Sequence, residues 1–519
     1  MHIYDVIVIG GGLLGCFAVR SLTRYDLKVA LLEQREDLCT GISRANTAIV
    51  YSGCDNKPGS LKTSLCVSAA QGFPKLCREL GVRYSPCGSI MICFGERGAK
   101  VLKKKYDQGT VNGVRGMRLL SGSEILEMEP RIAENVHSGL YVPDTGTVMP
   151  WELCLAAAEN AVRNGAEIIL NTEVLGIDKT TGCSAEINDS TPHLHGGELY
   201  GYEIKTNNGT YYSKAIINCA GLSADKVLEI PSAPTVRIIP TAGDYYILDT
   251  KAAGYIKHVI FHEPEEKGKG LTLVPTVDGN ILVGPTERPL DASDFSTSRE
   301  GLELLRELAS EVVPSLPMDQ IISSFGAVRP NPYMLSKDDN GQWVTDDKSV
   351  SDFCIIESYD GSMISLVGVK TPGLTCSNEL GIYVSDKISK LLRAAPNEGF
   401  GPIRPPQIRA GELDYNERRS LVQDHPEYGN IVCRCRGISE GEIINAIRRD
   451  PGAVTLDGVK RRTGTDSGRC QGGYCVQRIV SIMARELKCD PEDITKRGGK
   501  SKILFQQTKT DLRNLNHNI

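Results

Sequence analysis

The first apolar blocks of the chain predict a strand, a turn, a helix and a second strand. Val6 to Ile9, with Ile3 just upstream, is too uniformly hydrophobic for a half-exposed strand, which indicates a buried parallel sheet. Glycines follow, then a helical pattern to Leu22, then an apolar run, Lys28 to Leu32, that ends in Glu33. This order is typical of a dinucleotide-binding unit.

Helices and strands continue to alternate before the pattern changes. Leu65 to Leu80 and Trp151 to Arg163 have apolar residues at helical spacing. The segment after Gly201 indicates a hairpin whose second arm, Ala215 to Cys219, returns to the first sheet. Later apolar stretches predict strands of a separate antiparallel sheet: Asp244 to Leu248, His258 to His262, Leu271 to Val274 and Ile281 to Val283. The predicted class is α/β, Rossmann-like, with a substrate-facing antiparallel-sheet domain.

Gly10, Gly12 and Gly15 have the spacing of a pyrophosphate-binding turn that leads into a helix N-terminus. A plain glycine turn is the alternative, because a chain with 53 glycines produces this spacing by chance. The position between strand and helix favours a dinucleotide, and Glu33 can accept both hydroxyls of its ribose. These residues do not distinguish an FAD-binding site from an NAD-binding site.

A long loop follows, Gly41 to Lys62, and loops of this length in compact domains are usually functional. Its residues Ser43, Arg44 and Asn46 supply donors for a pyrophosphate or a flavin ring. A solvated surface loop is the alternative.

Composition narrows the function classes. The chain has 519 residues, 40% of them hydrophobic, which predicts two or three domains. A net charge of -5 gives no reason to expect nucleic acid or an anionic membrane surface. No apolar run of about 18 residues predicts a membrane span. Seventeen cysteines without a regular framework indicate a reducing compartment, so we expect a cytoplasmic protein.

Four cysteines near the C-terminus form two close pairs, Cys433 with Cys435 and Cys470 with Cys475. Two such pairs can converge on a metal centre. Zinc is the alternative, but zinc sites usually separate paired cysteines by two to four residues. A two-iron cluster carries negative charge, which these nearby cations would offset: Arg434, Lys460, Arg461, Arg462 and Arg469. We expect a [2Fe-2S] cluster.

The order of motifs resembles a known family of flavoproteins. Besides the glycine turn and the loop, it includes VPDTGTVMPWEL at 142–153, INCAG at 217–221, FGAVRP at 325–330 and VGVKTPGLT at 367–375. Over about residues 1–395 the chain resembles the D-amino-acid-oxidase superfamily of FAD enzymes. Within it, the chain is similar to FAD-dependent glycerol-3-phosphate dehydrogenases and L-2-hydroxyglutarate dehydrogenases. Cys433 to about Leu487 resembles the [2Fe-2S] domain of bacterioferritin-associated ferredoxin, which in anaerobic glycerol-3-phosphate dehydrogenase large subunits is fused to this flavoprotein.

The resemblance implies FAD as the cofactor and assigns further residues. It implies that Gly10, Gly12, Gly15 and Glu33 hold the ADP part, and that residues 43–46 line the pyrophosphate and flavin. It implies an adenine contact for Val174, and it places the following residues beside the cofactor: Gly221, Gly373, Leu374 and Thr375.

On the substrate side, the resemblance implies that Arg329 faces an anionic group, with a surface salt bridge as the alternative. Lys370 matches the glycerol-3-phosphate enzymes, where the hydroxyglutarate enzymes tend to have glutamate. Tyr51 stands where both families have a histidine near the flavin, and a phenol is a poor base at neutral pH. His258 and His262 are possible replacements or packed sheet histidines, so the base stays unassigned.

The resemblance thus implies a dehydrogenase for a small anionic secondary alcohol. Glycerol 3-phosphate is the first candidate, and L-2-hydroxyglutarate or another hydroxy acid or amino acid is the second. An electron-transfer subunit with an altered site is an alternative of another class. A cluster that accepts single electrons implies a quinone-linked subunit or a redox protein as acceptor, with any membrane association peripheral and through that partner.

The predicted domains are an FAD-dependent oxidoreductase (1–395), a proline-rich linker (396–428), the [2Fe-2S] domain (429–488) and a polar tail (489–519). Within the oxidoreductase, the predicted FAD-binding segments are 1–80, 145–230 and 325–395, and the predicted substrate-domain segments are 81–144 and 231–324.

Overall fold

The computed structural model describes residues 2–181, 200–263, 270–290 and 295–505. The chain divides into two compact units. The first comprises residues up to Pro406, except Arg35–Asp37, and the second comprises Arg35–Asp37 with the described residues after Pro406.

The helices of the first unit are α1 (Leu13–Leu22), α2 (Leu61–Leu80), α3 (Glu96–Val111), α4 (Gly122–Met128), α5 (Pro150–Arg163), α6 (Ala224–Glu229), α7 (Arg299–Val312) and α8 (Ser377–Leu392). Those of the second unit are α9 (Tyr415–Asp424), α10 (Glu440–Arg448), α11 (Leu456–Thr463) and α12 (Val476–Leu487).

The dinucleotide-type sheet has eight strands. Six follow one another in the order Val174–Thr181, Tyr200–Thr206, Gly209–Asn218, His2–Ile9, Val29–Leu32 and Glu167–Ile169. The strand Met363–Val367 pairs with the end of Gly209–Asn218, and Cys354–Glu357 pairs with Met363–Val367. The central pairings are parallel, including His2–Ile9 with Gly209–Asn218, which confirms that the hairpin arm returns to the first sheet.

The first strand is buried on both faces. Val6 and Val8 pack in one apolar cluster with residues of α1, α5 and α8, whereas Ile7 and Ile9 pack in another on the opposite face. Alternate residues of a strand point to opposite faces, so a strand covered on both sides must be hydrophobic throughout. The burial of both faces therefore explains why Val6 to Ile9 is hydrophobic at every position.

The second sheet has ten strands. Nine follow in the order Trp343–Thr345, Ile321–Lys337, Val236–Leu248, Ile281–Val283, Thr272–Pro275, Val259–His262, Ser89–Cys93, Ser138–Val142 and Arg118–Ser121. Arg288–Pro289 also pairs with Val236–Leu248. The pairings are antiparallel except that of Val259–His262 with Ser89–Cys93. Residues 325–337, within a predicted FAD-binding segment, therefore lie on this sheet.

Three short strands, Ile49–Val50, Tyr84–Ser85 and Gly146–Val148, form a small additional sheet. Helix α2 begins four residues before the predicted position. The Ser60 hydroxyl accepts a hydrogen bond from Thr63 N, and the Asp352 carboxylate accepts hydrogen bonds from Leu61 N and Lys62 N. These acceptors satisfy N–H groups of the first turn, and Asp352 is too distant in sequence to be recognised from a local pattern.

The second unit is small and mainly helical. Ile431–Cys433 pairs with Ile438–Ser439, and α10, α11 and α12 enclose a core that includes Ile443, Val459 and Met483. Helix α9, opened by a capping box at Asp414, lies within the predicted linker segment. In the described part of the predicted tail, Ile494 is buried, whereas residues 506–519 lie outside the described residues.

Membrane-crossing helices were sought in the described ranges. None of the helices there combines the length and the apolar character that a membrane span requires.

Candidate functional site

The turn after the first strand can be built only with glycine at two of its positions. Gly10 has φ +105°, and a Cβ there would lie 2.6 Å from Cys219 O. A Cβ at Gly15 would lie 1.9 Å from Gly10 O, so α1 approaches the turn too closely for any side chain. A Cβ at Gly12 would meet only Ser43 Oγ, at 3.1 Å, which leaves an open cradle at the N-terminus of α1. A pyrophosphate fits this cradle.

Glu33 lies at the carboxyl end of the strand Val29–Leu32 and is buried. Its Oε2 accepts a hydrogen bond from Gly11 N at 2.6 Å, and its backbone is held by Ile169 O and Thr172 N. The carboxylate is therefore fixed beside the glycine turn, where an acid can accept hydrogen bonds from ribose hydroxyls.

The predicted loop donors have different environments. Ser43 Oγ accepts a hydrogen bond from Leu13 N at 2.9 Å, at the first turn of α1. Asn46 uses its amide within the loop, because Nδ2 donates to Ser43 O and Oδ1 accepts from Ala48 N. The carbonyl of Arg44 accepts from Trp151 Nε1 at 2.8 Å. Ser43 lies at the pyrophosphate cradle, and Asn46 shapes the loop.

The other predicted cofactor residues lie at strand ends and turns of the first unit. Val174 begins a strand and packs on the same apolar cluster as Ile169 and Ala220. Gly221 follows with φ +60° and no atom within 4 Å of a Cβ position. Residues 373–375 form the turn before α8, where Leu374 packs on the core of the dinucleotide sheet.

Thr375 connects this turn to Tyr51, since Thr375 Oγ1 accepts a hydrogen bond from Tyr51 N at 2.9 Å. The Tyr51 hydroxyl lies 3.4 Å from Thr47 Oγ1, and its ring centroid lies 6.1 Å from that of Phe261. Burial raises the pKa of Tyr51 above its ordinary value, and the hydrogen bond with Thr47 and the charge of Arg329 only partly oppose this shift. Tyr51 is a neutral phenol at physiological pH.

Arg329 lies on the strand Ile321–Lys337, paired in register with Thr241. Its side chain is 19% exposed, and Nη1 is buried without a hydrogen-bond partner among the described residues. The nearest carboxylate oxygen, Glu287 Oε1, lies 3.6 Å from Nη1. A buried, under-satisfied guanidinium is costly, which makes this position a natural site for an anionic ligand.

Tyr245, which sequence reasoning missed, shares this pocket. It is paired with Phe325 in register, and the two rings are stacked at 4.7 Å with an angle of 4°. Tyr245 is 3% exposed, and its hydroxyl makes no hydrogen bond within the described part of the chain. Burial raises the pKa of Tyr245, while Arg329 opposes and Tyr51 adds to the shift. Alternation from Arg329 along two paired strands would have identified Tyr245, but only once the register was known.

Lys370 is held beside the same strand. Its Nζ donates to Asn331 Oδ1 at 3.2 Å and to Ser349 Oγ at 2.9 Å. Asn331 is two residues from Arg329, so both lie on one face of the sheet. The structure thus brings Tyr51, Arg329 and Lys370 to one region of the first unit.

Neither proposed histidine belongs to this region. His258 Nδ1 lies 2.7 Å from Glu129 Oε1. The ring of His262 lies edge-on to Phe94, with centroids 5.4 Å apart. Residues 258, 260 and 262 point to one face of the sheet, and Phe261 points to the other. Phe261 lies near Tyr51, whereas Ile260 packs in the apolar cluster that includes residues of α7. Both therefore lie on the far face of the ten-stranded sheet.

The predicted metal ligands converge in the second unit. Sγ of Cys435 lies 3.9 Å from Sγ of Cys433 and 3.7 Å from Sγ of Cys470. A hydrogen bond with Cys475 raises the pKa of Cys433 and lowers that of Cys475. Burial raises the pKa of Cys435 to about 11, with Cys433 adding to the shift. A Cβ at Gly468 would lie 2.5 Å from Cys435 Sγ, so glycine is required to leave the sulfur side open. Four converging thiols fit an iron-sulfur cluster.

The cationic side chains near these cysteines differ in exposure and in their partners. Arg434 and Arg469 are exposed beside ligand positions. Arg461 and Arg462 are both paired with buried Asp37, at 2.6 Å and at 2.8 and 2.9 Å, so that carboxylate balances part of their charge. Two guanidinium groups and one carboxylate keep one net positive charge, so the expectation that these arginines offset cluster charge stays a prediction.

Two family models match the chain, one in each of its two units. Residues 5–387 match the family model described as FAD dependent oxidoreductase, and residues 431–485 match the model of the BFD-like [2Fe-2S] binding domain. A glycerol 3-phosphate dehydrogenase of Caloramator mitchellensis is 38% identical over 513 residues, covering 98% of this chain and 100% of that protein. A glycerol 3-phosphate oxidase of Mycoplasma pneumoniae is 28% identical over 390 residues, covering 73% of this chain and 92% of that protein.

A solved structure supports the fold. The L-alpha-glycerophosphate oxidase of Mycoplasma pneumoniae, reduced with dithionite and with FAD bound, has a TM-score of 0.67 at 24% identity. The match covers 79% of this chain and 100% of that one.

Proposed function

The chain belongs to the FAD dependent oxidoreductase family, with FAD and a [2Fe-2S] cluster as its cofactors, and on that premise we propose that it oxidises glycerol 3-phosphate to dihydroxyacetone phosphate. The observation that carries the proposal is the buried Nη1 of Arg329, which has no hydrogen-bond partner among the described residues. Two residues along the same strand, Asn331 Oδ1 accepts a hydrogen bond from Lys370 Nζ. A phosphate dianion is stabilised by cations close to its oxygens, and Arg329 and Lys370 supply two of them. The whole-length similarity to a glycerol 3-phosphate dehydrogenase supports the same choice.

The pocket residues position the substrate. Arg329 offers two donors to the phosphate oxygens, and Asn331 and Ser349 keep the Lys370 ammonium on the same side. The Tyr245 hydroxyl, which has no hydrogen bond within the described residues, can donate to the same anion. When bound, FAD supplies a two-electron acceptor for the alcohol C–H.

The proton of the substrate hydroxyl follows another route than in relatives with a histidine at this position. Tyr51 is neutral and its pKa is raised, so it orients the alcohol through its hydroxyl and does not remove the proton. His258 and His262 are separated from the substrate by the sheet itself. The base is a group other than these three.

The cluster implies an acceptor that takes single electrons. Cys433, Cys435, Cys470 and Cys475 hold a centre whose chemistry is one-electron transfer. A nicotinamide acceptor would not require such a centre. We therefore expect a quinone-linked subunit or a redox protein as the acceptor beyond this chain.

The proposal is tested by product analysis without oxygen. Purified protein is mixed with glycerol 3-phosphate or, as the matched alternative, with L-2-hydroxyglutarate, and the flavin absorbance at about 450 nm is followed. We expect bleaching with glycerol 3-phosphate and one dihydroxyacetone phosphate per flavin reduced. Bleaching by L-2-hydroxyglutarate alone would overturn the substrate assignment. Bound cofactors with no bleaching by either substrate would overturn the dehydrogenase function.

A further inference from the structure

The C-terminal segment, residues 489–505, is bound to the first turn of α11. The first two N–H groups of that helix donate to Thr495 O at 3.1 Å and to Lys496 O at 2.9 Å. These carbonyls satisfy N–H groups that have no acceptor within the helix itself. Ile494, just before them, is buried in the core of the second unit. The backbone that carries the Lys496 side chain is therefore held in place.

Lys496 contacts two carboxylates of the second unit. Its Nζ donates to Asp457 Oδ1 at 2.8 Å and to Asp466 Oδ2 at 3.4 Å. The other carboxylate oxygen of Asp466 lies 3.0 Å from Lys460 Nζ. Asp466 is 6% exposed, whereas the side chain of Lys496 is 48% exposed. A buried carboxylate thus lies between two ammonium groups, one of which belongs to the C-terminal segment.

Asp466 also contacts cysteines of the cluster-binding set. Its backbone N–H donates hydrogen bonds to the sulfur atoms of Cys433 and Cys475. The pKa of Cys475 is lowered mainly by the hydrogen bond with Cys433, and the negative charge of the Asp466 side chain opposes this shift. Asp466 therefore acts on the ligands in two ways, through a hydrogen-bond donor and through a charge.

The backbone conformation that places this N–H is one that most residues avoid. Asp466 has φ +57°, in the left-handed region, where a Cβ lies too close to the backbone. Aspartate and asparagine tolerate this region better than other residues with a Cβ. Two ammonium groups hold the Asp466 carboxylate and so support the conformation from which the N–H contacts the sulfur atoms.

Both contacts of Asp466 affect the energy of an added electron. Reduction of a two-iron cluster converts one iron from ferric to ferrous and changes the total charge of cluster and thiolates from about -2 to about -3. N–H donors to sulfur and nearby positive charges stabilise the reduced form, whereas a nearby carboxylate destabilises it. The two lysines therefore favour reduction, because they balance the carboxylate and keep the N–H donor in place.

We propose that Lys496 positions Asp466 and thereby raises the reduction potential of the [2Fe-2S] cluster. The C-terminal segment then has a function in electron transfer, since it supplies one of the two cations that balance a carboxylate beside the ligands. This inference depends on the cluster and is independent of which substrate reduces the flavin.

The test measures the reduction potential of the cluster in the full chain with both cofactors bound. Each protein is titrated anaerobically with dithionite, which supplies the electron, and the reduced cluster is quantified by its electron paramagnetic resonance signal. The variants are Lys496→Met, Lys496→Arg and Asp466→Asn, and the control is Lys502→Met. Lys502 lies in the same segment, its side chain is 46% exposed and it pairs with exposed Asp493. The control removes the same charge while both lysines remain on Asp466.

We expect Lys496→Met to shift the oxidised-to-reduced ratio at a given potential about fivefold toward the oxidised form, or about 40 mV for one electron. Lys496→Arg keeps the charge and should restore most of the wild-type potential. Asp466→Asn should shift the ratio toward the reduced form, because it removes a negative charge and asparagine tolerates the same conformation. Lys502→Met should change the ratio less than about twofold at 0.15 M salt, where distant charges are screened.

Three results would overturn the proposal. Equal shifts in Lys496→Met and Lys502→Met would show a general effect of surface charge. Shifts in the same direction in Lys496→Met and Asp466→Asn would show a purely structural effect, and an unchanged potential in Lys496→Met would show that this lysine does not act on the cluster.

The variants differ in how much they disturb cluster binding, so each has a replacement. If Lys496→Met does not bind the cluster, Lys460→Met, which removes the other cation of the same carboxylate, is judged by the same criteria. If Asp466→Asn does not bind it, the difference in potential between Lys496→Arg and Lys496→Met decides. Equal potentials in those two variants would then overturn the proposal.

Discussion

Phe261 and His262 are neighbours in the chain but lie on opposite faces of the ten-stranded sheet. The Phe261 ring lies 6.1 Å from that of Tyr51, whereas the His262 ring lies edge-on to Phe94 at 5.4 Å. His258, four residues earlier, shares the face of His262 and is held by Glu129. The family's histidine base is therefore not replaced by either residue.

Replacing His262 with asparagine tests this geometry. We expect the rate of flavin reduction by glycerol 3-phosphate to stay within about threefold of the wild type, because removing a true general base costs about a hundredfold or more. Rates are measured per bound flavin by anaerobic rapid mixing. A hundredfold loss with FAD fully bound would place His262 in the chemistry and contradict the face assignment.

Tyr51→Phe tests the role of the phenol. Burial raises the pKa of Tyr51 above the ordinary tyrosine value of about 10. The hydroxyl therefore stays protonated between pH 6 and 9 and contributes no ionisation to the pH profile in that range. We expect the variant to keep the pH profile of flavin reduction, with a rate within about tenfold of the wild type. The loss of an ionisation from that profile would show that Tyr51 does transfer the proton.

The cofactor-binding turn was predictable because its determinants are local. Gly10, Gly12 and Gly15 are dictated by one turn and one helix, and Glu33 follows its strand directly. The antiparallel sheet was also predicted, but as short strands. The structure has Val236–Leu248 beside Ile321–Lys337, with Pro240 opposite Pro330 in register. In a sequence, proline usually indicates the end of a strand because it has no N–H to donate. Here the two prolines face each other, so both missing N–H groups fall at the same point of the pairing.

The pocket itself could not be derived from the sequence. Tyr245 joins Arg329 only because residue 245 pairs with 325, and a shift by one residue would move it to the other face. The pairing of Asp37 with Arg461 and Arg462 joins residues more than 400 positions apart. No local pattern encodes such contacts, so the sequence did not indicate that these two arginines share a buried carboxylate.

Asp37→Asn should destabilise the second unit. Burial raises the pKa of Asp37, but Arg462 and Arg461 outweigh it, so the folded value lies below the unfolded one. The stabilisation is present above the unfolded pKa of about 3.9 and is lost as pH falls through the folded value. At pH 7 we expect a loss of about 3–5 kcal/mol in the free energy of unfolding, because two buried guanidinium groups lose their counter-ion.

That loss is measured by urea unfolding followed through the visible absorbance of the cluster. Asp493→Asn is the control, because Asp493 and Lys502 form an exposed pair whose loss should cost under about 1 kcal/mol. Equal stability of the two variants at pH 7 would refute the buried ionic group.

Cys435→Ser should remove the cluster and leave the flavin. Cys435 Sγ lies within 3.9 Å of two other thiols of the set, so its loss breaks the ligand group. The matched control is Cys489→Ser, which changes a partly buried cysteine of the same unit outside this set. We expect the cluster spectrum to vanish only in the first variant, with FAD content equal in both. Cluster retention in Cys435→Ser would contradict the assignment.

The central claim is that Arg329 binds the phosphate of the substrate, and one comparison tests it directly. Anaerobic flavin reduction is titrated with glycerol 3-phosphate and with glycerol in the wild type, Arg329→Lys and Arg329→Met. We predict a strong wild-type preference for the phosphate ester, weaker in the lysine variant and reduced about a hundredfold in the methionine variant, since a charged hydrogen-bonded contact is worth about 1.5–3 kcal/mol. An unchanged preference in Arg329→Met, with FAD bound, would contradict the claim.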